Sequence, residues 1–343
     1  MQKPTRKIPI AISGLALLLV VIAAMQVLPF KNRAPWNPPP SSSDKVTLLT
    51  LGDFGEANFR QRRVAAMLEE ACRSAVGEKL VQTVGDNFYS AGVSDIDDPQ
   101  WTSKFESVYD TPCLMQTRFF AALGNHDYVG SIAAQSEYQN HGTGRWQMPA
   151  NFYIHDHGMV DGRALVRIVV VDTMTDLKEQ IAMIETAFAD PDAAIWRVVV
   201  GHYNIRTYSE KYHDDDDLQY SLMPALMANQ VNFYISGHSH NLQLIENSPV
   251  RPDTGREPVY LVSGGGGASP RELLEADPEV APLLDQKLGF PVVTFTAERA
   301  DINFMESSGN LLSTLQTSEK KFTVELACLK SNPDSGCVEA VMD

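Results

Sequence analysis

The sequence predicts a layered α/β fold, built from mixed sheets with helices packed on their faces. Apolar, β-prone runs alternate with helical segments through the first two thirds of the chain. Short strands separated by turn residues follow in the last third, from residue 259 onward. Strands that alternate with helices favour parallel pairing, whereas strands joined by short turns favour antiparallel pairing at the sheet edges.

The predicted elements follow from hydrophobic periodicity in a globular part that spans residues 45–320. A strand at 46–51 comes first, followed by a helix at 59–76 whose apolar residues recur at helical spacing. Further strands are predicted at 80–84, 119–123, 165–172, 196–200 and 231–235, and further helices at 101–109, 177–188 and 218–227. Short strands are predicted at 259–263, 291–297, 301–306 and 311–315, with a hairpin turn at 307–310.

Composition limits the classes of function. The 343 residues are 44% hydrophobic and 21% charged, which is ordinary for a globular chain with a sizeable core. The formal net charge of −15 excludes a nucleic-acid binder, because no basic stripe offsets it. The same charge repels phosphate esters, so an enzyme that acts on them needs a local positive charge, for which bound metal is one source.

Residues 1–30 are predicted to lie outside the globular part, as a signal peptide or an N-terminal membrane anchor. Lys3, Arg6 and Lys7 precede an uncharged run over residues 8–30, a pattern that fits both interpretations. Either one places the globular part outside the cytoplasm: secreted, periplasmic or anchored. Residues 31–44 form a Pro/Ser-rich linker, because their composition offers little apolar surface to pack.

The chain has four cysteines, an even number that suits disulfide bonding in an exported protein. Cys328 and Cys337 flank a turn-rich segment, so a local bridge is predicted in a C-terminal tail over residues 321–343. The pairing of Cys72 with Cys113 stays open, since an even number of cysteines can pair in several ways. The spacing of these cysteines does not indicate a metal site.

Five apolar runs end in a glycine that is followed at once by Asp, Asn or His. The residues in that position are Asp53, Asp86, Asn125, His202 and His238, and His240 comes two residues after the last of them. Ligands of open α/β sheets gather beyond the carboxyl ends of the strands, so we expect these side chains to meet there. The glycines are expected to let the backbone turn sharply and approach bound ions closely.

Tyr89, three residues after Asp86, adds a phenol to this group. A phenol binds metal at neutral pH only when a highly charged ion removes its proton, as a ferric ion does. A carboxylate such as that of Asp86 can bridge two ions, one on each oxygen. Carboxylate, amide and imidazole donors together fit first-row metals better than magnesium or calcium. The sequence therefore predicts a dinuclear metal site that includes a ferric ion.

The blocks around these residues resemble those of purple acid phosphatases, in particular the small, single-domain, tartrate-resistant type. The blocks are Gly52-Asp53, Gly85-Asp86-Asn87-Phe88-Tyr89, Gly124-Asn125-His126-Asp127, Gly201-His202-Tyr203 and Gly237-His238-Ser239-His240. Calcineurin-like metallophosphoesterases in general share most of them, and Tyr89 points to the purple subgroup. The resemblance implies a β-sandwich of two mixed sheets flanked by helices, with a dinuclear site at the C-terminal ends of the strands.

The resemblance also implies a set of ligands and an activity. Asp53, Tyr89 and His240 would hold Fe3+, Asn125, His202 and His238 would hold Fe2+, Zn2+ or Mn2+, and Asp86 would bridge the two ions. The implied reaction is hydrolysis of small phosphate monoesters, with a metal-bound hydroxide as the nucleophile. His126, oriented by Asp127, is the predicted acid that protonates the leaving group.

Three positions depart from the family pattern. Phe54 stands in place of a frequent tryptophan, Asn204 in place of proline, and Ser239 in place of aspartate. The last two put the shapes of their loops in question, but not the ligands. His155 and His157, which alternate on a predicted strand, are expected at the surface, as is His213.

Two other functions remain open from the sequence. One is hydrolysis of phosphodiesters or nucleotides by the same kind of centre. The other is a redox-active di-iron protein without hydrolytic activity. In each case no nucleic-acid partner is expected, and contact with a membrane is expected only through residues 8–30.

Overall fold

The computed structural model of the chain is built around two stacked sheets. It describes residues 41–246, 256–308, 316–331 and 336–341, and these ranges contain fifteen strands. In chain order the strands are β1 (Val46–Leu51), β2 (Glu78–Thr83), β3 (Phe119–Phe120), β4 (Trp146–Gln147), β5 (Tyr153–Val160), β6 (Arg163–Val170), β7 (Ala194–Val200), β8 (Phe233–Ser236), β9 (Leu242–Ile245), β10 (Val259–Ser263), β11 (Leu283–Asp285), β12 (Gly289–Phe295), β13 (Arg299–Ser308), β14 (Gln316–Glu325) and β15 (Val338–Val341).

The described part of the chain also contains five α-helices. They are α1 (Phe59–Ser74), α2 (Ile132–Glu137), α3 (Lys178–Ala187), α4 (Asp216–Ala228) and α5 (Leu326–Ser331). A π-helical turn covers Trp101–Glu106, where a longer helix was predicted. The start of α1 is fixed by Asn58, whose side chain accepts a hydrogen bond from the Gln61 N–H at 2.9 Å.

Both sheets are mixed, which confirms the predicted fold class. The first sheet has the strand order β15-β14-β13-β12-β1-β2-β3-β4, and the second has the order β11-β9-β10-β8-β7-β6-β5. In the first sheet β1 to β4 pair in parallel, whereas β12 to β15 pair antiparallel. In the second sheet β6, β7, β8 and β10 are parallel neighbours, and the remaining strands pair antiparallel at its two edges.

Alternation along the strands produces four layers: helix, sheet, sheet, helix. Successive side chains of a strand point to opposite faces, so one strand serves two cores. Leu48 of β1 belongs to the core between the sheets, and Leu49 to the core between the first sheet and α1. Val198 of β7 likewise faces the other sheet, while Val199 packs with residues of α3 and α4.

Most predicted strands and helices are confirmed to within a few residues, but β3 is shorter than expected. It covers two residues of the predicted 119–123. Beyond Phe120 the regular ladder ends, and the backbone of Ala122 also bonds to polar side chains of the neighbouring strand and loop. The Ala122 carbonyl accepts from Asn87 Nδ2 at 2.8 Å, and the Ala122 N–H donates to Thr83 Oγ1 at 3.3 Å.

Several predicted features fall at or beyond the limits of the described residues. The strand predicted at 311–315, the turn residues 309–310 and the segment 1–30 lie outside them. Within the described ranges, no helix combines the length and the apolar character needed to cross a bilayer. The domain boundary predicted at residue 320 falls inside β14, which pairs with β13 from end to end.

Two disulfides are present. Cys328 is bonded to Cys337, as predicted, and Cys72 is bonded to Cys113, the pairing that the sequence left open. Glu246, directly after β9, accepts hydrogen bonds from the backbone N–H groups of Cys337 and Val338. The C-terminal residues are therefore attached to the second sheet through one buried carboxylate.

The prediction that His155 and His157 lie at the surface is wrong: both are buried between the sheets. His155 Nε2 donates to Gln82 Oε1 at 3.1 Å, His155 Nδ1 lies 2.7 Å from His157 Nε2, and His157 Nδ1 lies 2.7 Å from Glu78 Oε1. These contacts form one continuous chain from Gln82 through His155 and His157 to Glu78. It joins β5 of the second sheet to β2 of the first, so polar residues also hold the sandwich together.

Glu78 at the end of this chain makes stability depend on pH. Burial acts to raise its pKa, but the hydrogen bond and charge of His157, with bonds from Ser41 and the Gly158 N–H, outweigh burial and lower the pKa to about 2. A carboxylate with a lowered pKa stabilises the fold above its unfolded pKa, and this contribution is lost as the pH falls toward 2.

We expect Glu78→Gln to lower the free energy of unfolding near neutral pH by roughly 2–3 kcal/mol. The deficit relative to the unsubstituted protein should shrink as the pH falls from about 4.5 to about 2, because over this range Glu78 is protonated in the unfolded chain but still ionised in the folded protein. Urea denaturation at a series of pH values measures both effects. Glu185→Gln, at an exposed position of α3, is the matched control. A deficit that does not change over this pH range would contradict the assignment.

Candidate metal centre

The seven predicted ligands follow the carboxyl ends of parallel strands in both sheets. Asp53 follows β1, Asp86 and Tyr89 follow β2, Asn125 follows β3, His202 follows β7, and His238 and His240 follow β8. Strands β1 to β3 are neighbours in the first sheet, and β7 and β8 are neighbours in the second. Within the described residues, ligand atoms of Asp53, Asp86 and His240 all lie within 4.8 Å of one another.

The Tyr89 hydroxyl is in contact with all three of those side chains. It lies 2.9 Å from Asp53 Oδ1, 2.8 Å from Asp86 Oδ2 and 3.2 Å from His240 Nε2. Burial and the charges of the two carboxylates raise the pKa of Tyr89 far above its ordinary value. The phenol therefore lies among groups that favour a cation or a proton at this position.

A second group lies on the other side of Asp86. Asp86 Oδ1 is 3.5 Å from His202 Nε2, which is 3.2 Å from Asn125 Oδ1. The two oxygens of Asp86 thus face different groups: Oδ2 faces Tyr89, and Oδ1 faces His202. The His238 ring lies beside this group, with its centroid 5.1 Å from that of His202. The structure therefore brings all the predicted ligands together.

Backbone carbonyls fix which nitrogen the two buried imidazoles present to the centre. His202 Nδ1 donates to the Val84 carbonyl at 2.8 Å, and His240 Nδ1 donates to the Ser269 carbonyl at 3.0 Å. Each ring therefore turns Nε2 toward the carboxylates. Outer hydrogen bonds of this kind orient histidine ligands in metal sites.

Ser269 belongs to a loop whose part in the site is not indicated by the sequence. The loop follows β10 and includes the glycines 264–267. Arg60 of α1 holds the loop, with Nε donating to the Gly267 carbonyl at 2.9 Å and Nη2 bonding to Ser269 Oγ at 3.1 Å. A carbonyl contact leaves no pattern of side chains in the sequence, so no sequence signal was available.

The predicted ligands, and not only the glycines before them, adopt unusual backbone conformations. The φ angles of Asp53, Asp86, His238 and His240 are all positive, between 50° and 67°. This left-handed region is costly for residues with a side chain, and such residues concentrate at functional sites. The expectation that the glycines provide the sharp turns holds for Gly85, whose φ is 92°. The other glycines that precede predicted ligands do not have a positive φ.

The main role of these glycines is to let the backbone of one loop approach the ligand side chains of another. A Cβ atom on Gly85 would lie 2.5 Å from His202 Nδ1, one on Gly124 would lie 2.4 Å from Asp86 Oδ1, and one on Gly237 would lie 2.6 Å from Asp53 Oδ2. Separations below 3.0 Å force a neighbour to move. The missing side chains are therefore what lets the loops of both sheets pack against the ligands.

The charged groups of the centre shift one another's pKa values. Burial acts to raise the pKa of Asp86, but the charge and hydrogen bond of His202 outweigh it and hold the pKa well below its ordinary value. Burial acts to lower the pKa of His202, and the charge of Asp86 outweighs it and raises the pKa to about 9. Burial and then the charges of His202, His240 and Arg271 lower the pKa of His238 to about 2, so this imidazole keeps a lone pair for a cation.

The predicted orientation of His126 by Asp127 is not what the structure shows. His126 Nδ1 donates instead to the Ser90 carbonyl at 2.8 Å. The Asp127 carboxylate is fully buried and accepts from the Gly124 N–H at 2.9 Å and from Gln135 Nε2 at 3.0 Å. Burial and the charge of Asp86 raise the pKa of Asp127 to about 7. Asp127 therefore shapes the loop that carries His126 and does not contact its ring.

Two of the departures from the family pattern contact each other. Ser239 Oγ donates to Asn204 Oδ1 at 2.5 Å, and Asn204 Nδ2 donates to the Gly237 carbonyl at 2.9 Å. These bonds tie the loop after β7 to the loop after β8. The loop shapes that the sequence put in question are thus stabilised by the two unusual residues together.

A sandwich of two mixed sheets with clustered ligands at its strand ends defines the calcineurin-like phosphoesterase class, whose family model matches residues 46–242. Purple acid phosphatase 7 of Arabidopsis thaliana is 31% identical to the chain, over 79% of this chain and 85% of that protein. The chain belongs to the purple acid phosphatases of this family, and it resembles their small, tartrate-resistant type. It is accordingly an acid phosphatase, a hydrolase.

Two further comparisons support the sequence relationship and the fold. Human tartrate-resistant acid phosphatase type 5 is 27% identical, over 80% of this chain and 92% of that protein. Among solved structures, that of GAP50, the anchor in the inner membrane complex of Plasmodium, has a TM-score of 0.67 at 22% identity. The alignment covers 80% of this chain and 89% of GAP50, and it bears on the fold alone.

Substitution of Gly124 tests the close approach at the centre. Gly124→Ala places a methyl group against Asp86, and we expect phosphatase activity to fall by about 100-fold, because small displacements of a reacting constellation cost that much. Gly162→Ala is the control for the replacement of a glycine without a clash: among the described residues a Cβ there has no neighbour within 4 Å, and only the φ of 79° disfavours alanine. Activity and far-ultraviolet circular dichroism measure the outcome. A folded Gly124→Ala protein with full activity would show that the contact is not needed.

Proposed function

We propose that the chain hydrolyses small phosphate monoesters at a dinuclear centre of Fe3+ and a divalent ion (Fe2+, Zn2+ or Mn2+). The observation that carries the proposal is the Tyr89 hydroxyl, which lies within 3.2 Å of Asp53, Asp86 and His240. A phenolate is a ligand for a hard trivalent ion, and the two carboxylates suit the same ion.

The donor set fits such a pair of ions. Neighbouring ligands on a first-row ion lie about 3 Å apart, because each is about 2.1 Å from the metal. The spacings of the Tyr89 hydroxyl to its three neighbours, 2.8 to 3.2 Å, are of this size. The Nε2 of His202 and the Oδ1 of Asn125 are spaced similarly, at 3.2 Å.

We assign the ligands to the two ions from the grouping of the side chains. Asp53, Tyr89 and His240 would hold Fe3+, and Asn125, His202 and His238 would hold the divalent ion. Asp86 would bridge, and the different directions of its two oxygens support this role. The assignment of His238 rests on its neutral ring beside His202.

A metal pair at the centre would also offset the repulsion between the acidic chain and an anionic substrate. The chain carries a formal charge of −15, which repels an anionic ester. A bound pair of ions supplies positive charge and acidifies coordinated water, which is the chemistry that hydrolysis of a phosphate ester needs. The residues of the chain hold the ligands in place through carbonyl and N–H contacts, so little rearrangement is needed on binding.

His126 is proposed as the acid for the leaving group. Its Nδ1 donates to the Ser90 carbonyl, and its ring lies 4.4 Å from that of Tyr89, centroid to centroid. The half-buried ring therefore holds its second nitrogen, Nε2, available beside the centre. A proton on Nε2 would pass to the leaving oxygen as the ester bond breaks.

We also propose that the globular part works outside the cytoplasm. The two disulfides, between Cys72 and Cys113 and between Cys328 and Cys337, support this location. Disulfides persist in oxidising compartments and are rare where thiols are kept reduced. Treatment with a thiol-reactive reagent, before and after reduction of the purified protein, would show whether the four sulfurs are paired.

The metal assignment can be tested with Tyr89→Phe and Asp86→Asn. Tyr89→Phe should abolish visible absorption from a phenolate–iron pair, because Phe has no oxygen to bind the ion. Asp86→Asn should lower both metal content and monoester hydrolysis, the latter by at least about 1,000-fold, because a bridging charge is lost. Metal analysis, a visible spectrum and kinetics measure these effects. Tyr220→Phe, with a side chain 72% exposed, is the matched control.

Three results would count against this function. One is a Tyr89→Phe protein that keeps both its iron and its visible band. Another is a fully demetallated protein that hydrolyses monoesters at an undiminished rate. The third is a metal-loaded protein that prefers bis-aryl phosphates to monoesters, which would indicate a phosphodiesterase instead.

The role of His126 predicts a dependence on the leaving group. His126→Asn should slow hydrolysis of alkyl phosphates by roughly 100-fold or more and affect nitrophenyl phosphate much less, since a nitrophenolate leaves without a proton. His141→Asn, at an exposed site, is the control. Measurement of kcat for both substrates separates the effects. An equal loss on both substrates would indicate that His126 only positions other groups.

A further inference from the structure

Arg271 lies beside the metal centre, in the loop that orients His240. Its backbone N–H donates to the His240 carbonyl at 3.2 Å, two residues after the Ser269 carbonyl that binds the ring of the same histidine. The loop is held from its other side by Arg60. Four hydrogen bonds therefore hold the loop that carries Arg271 in place beside the centre.

The guanidinium of Arg271 is packed but not neutralised. Its Cζ lies 5.4 Å from the centroid of the Tyr212 ring, and its Nε is buried without a hydrogen-bond partner in the part of the chain that the structure describes. Within the described residues, no ion pair joins Arg271 to a carboxylate, whereas Arg206 nearby is paired with both Asp214 and Glu257. Buried side-chain donors without a partner are rare in folded proteins, so the described protein groups leave this guanidinium incompletely satisfied.

Tyr212 connects this cation to the proposed ligands. Its ring centroid is 4.0 Å from that of His238, and the two side chains line one cavity of about 380 Å³. Lys211 Nζ lies 4.9 Å from the same ring, so two cations flank Tyr212. The aromatic ring holds a guanidinium in place without supplying a negative charge.

Other side chains of that cavity are acidic, so a phosphate that enters it needs a nearby positive charge. Residues 214–217 are all aspartates and line it. Their charges repel a phosphate that approaches the centre by this route. A guanidinium offers directed, charge-assisted hydrogen bonds to phosphoryl oxygens, which a solvated aspartate rim cannot.

We propose that Arg271 binds the phosphoryl group of the ester and, after hydrolysis, inorganic phosphate. This inference rests on the proposed monoesterase function and adds a substrate-binding residue to it. The oxygens that the metal ions leave free would accept from the guanidinium. Tyr212 acts as a positioning residue, because it holds the guanidinium and does not touch the substrate.

Kinetics of Arg271→Gln test the proposal. We expect KM for a monoester and the inhibition constant of inorganic phosphate to rise together by about ten-fold or more, since one charge-assisted bond is lost. The change in kcat should be smaller, because the contact is made in the ground state and the transition state alike. Arg271→Lys should recover part of the lost affinity, since lysine keeps the positive charge but lacks the paired N–H donors of the guanidinium.

Controls separate substrate binding from effects of net charge and folding. Arg118→Gln removes the same charge at an exposed position before β3 and should leave both constants unchanged. Tyr212→Phe keeps the ring and should have little effect, whereas Tyr212→Ala should weaken phosphate binding. Metal content should be the same in all of these variants.

Two outcomes would overturn the role of Arg271. One is a metal-replete Arg271→Gln protein whose KM and phosphate inhibition constant equal those of the unsubstituted protein. The other is a loss of metal in that variant, which would assign Arg271 to the support of His240. If the unsubstituted protein does not hydrolyse monoesters, the proposed function fails. Calorimetric titration of the metal-loaded variants with inorganic phosphate still decides whether Arg271 binds the anion.

Discussion

Mutual repulsion between buried carboxylates is the constraint on which the rest of this structure depends. Asp53 and Asp86 both contact the hydroxyl of Tyr89, and a single phenolic proton cannot serve two carboxylates at once. Such a group is stable only with added positive charge, from a proton on His202 or from bound cations. The backbone at both aspartates is also in the left-handed region, at a cost of about 1–2 kcal/mol per residue.

The sandwich supplies the stability that offsets this local strain. Large apolar cores fill the space between the sheets and beneath the helices on both faces. The loops then have few ways to relax, because glycines bring backbone against ligand at Gly85, Gly124 and Gly237. Rigid support on two sheets is what keeps donors in place before any ion arrives.

Charge is distributed very unevenly around the centre. The chain as a whole is strongly acidic, and the aspartates at 214–217 lie at the edge of the site. Some of these carboxylates already have structural partners: Asp215 caps α4, and Asp214 accepts from Arg206. Arg271 has no such partner among the described residues, so its charge is available to an anion. The proposed ions and this guanidinium would together define one positively charged path in an acidic surface.

The candidate ligands could be predicted from the sequence because most of them stand in a recurring local pattern. A β-prone run, a glycine and a polar residue recur at Asp53, Asp86 and His238, and this pattern needs no knowledge of the fold. The fold class could also be predicted, because the hydrophobic periodicity of the sequence indicates the order of strands and helices. The alternation of His155 and His157 was misleading, because their burial depends on hydrogen-bond partners in the other sheet, Gln82 and Glu78, which lie far away in the sequence.

Residue types and their order along the chain therefore determined the class of fold and the family, and they indicated the candidate donors of the centre. Only the tertiary structure decided how those donors are oriented and what surrounds them. The carbonyls of Val84 and Ser269, the partner of Asp127, the bond between Asn204 and Ser239, and the position of Arg271 all depend on contacts between distant segments. Backbone groups are the same at every residue, so contacts made through them leave no mark in a sequence.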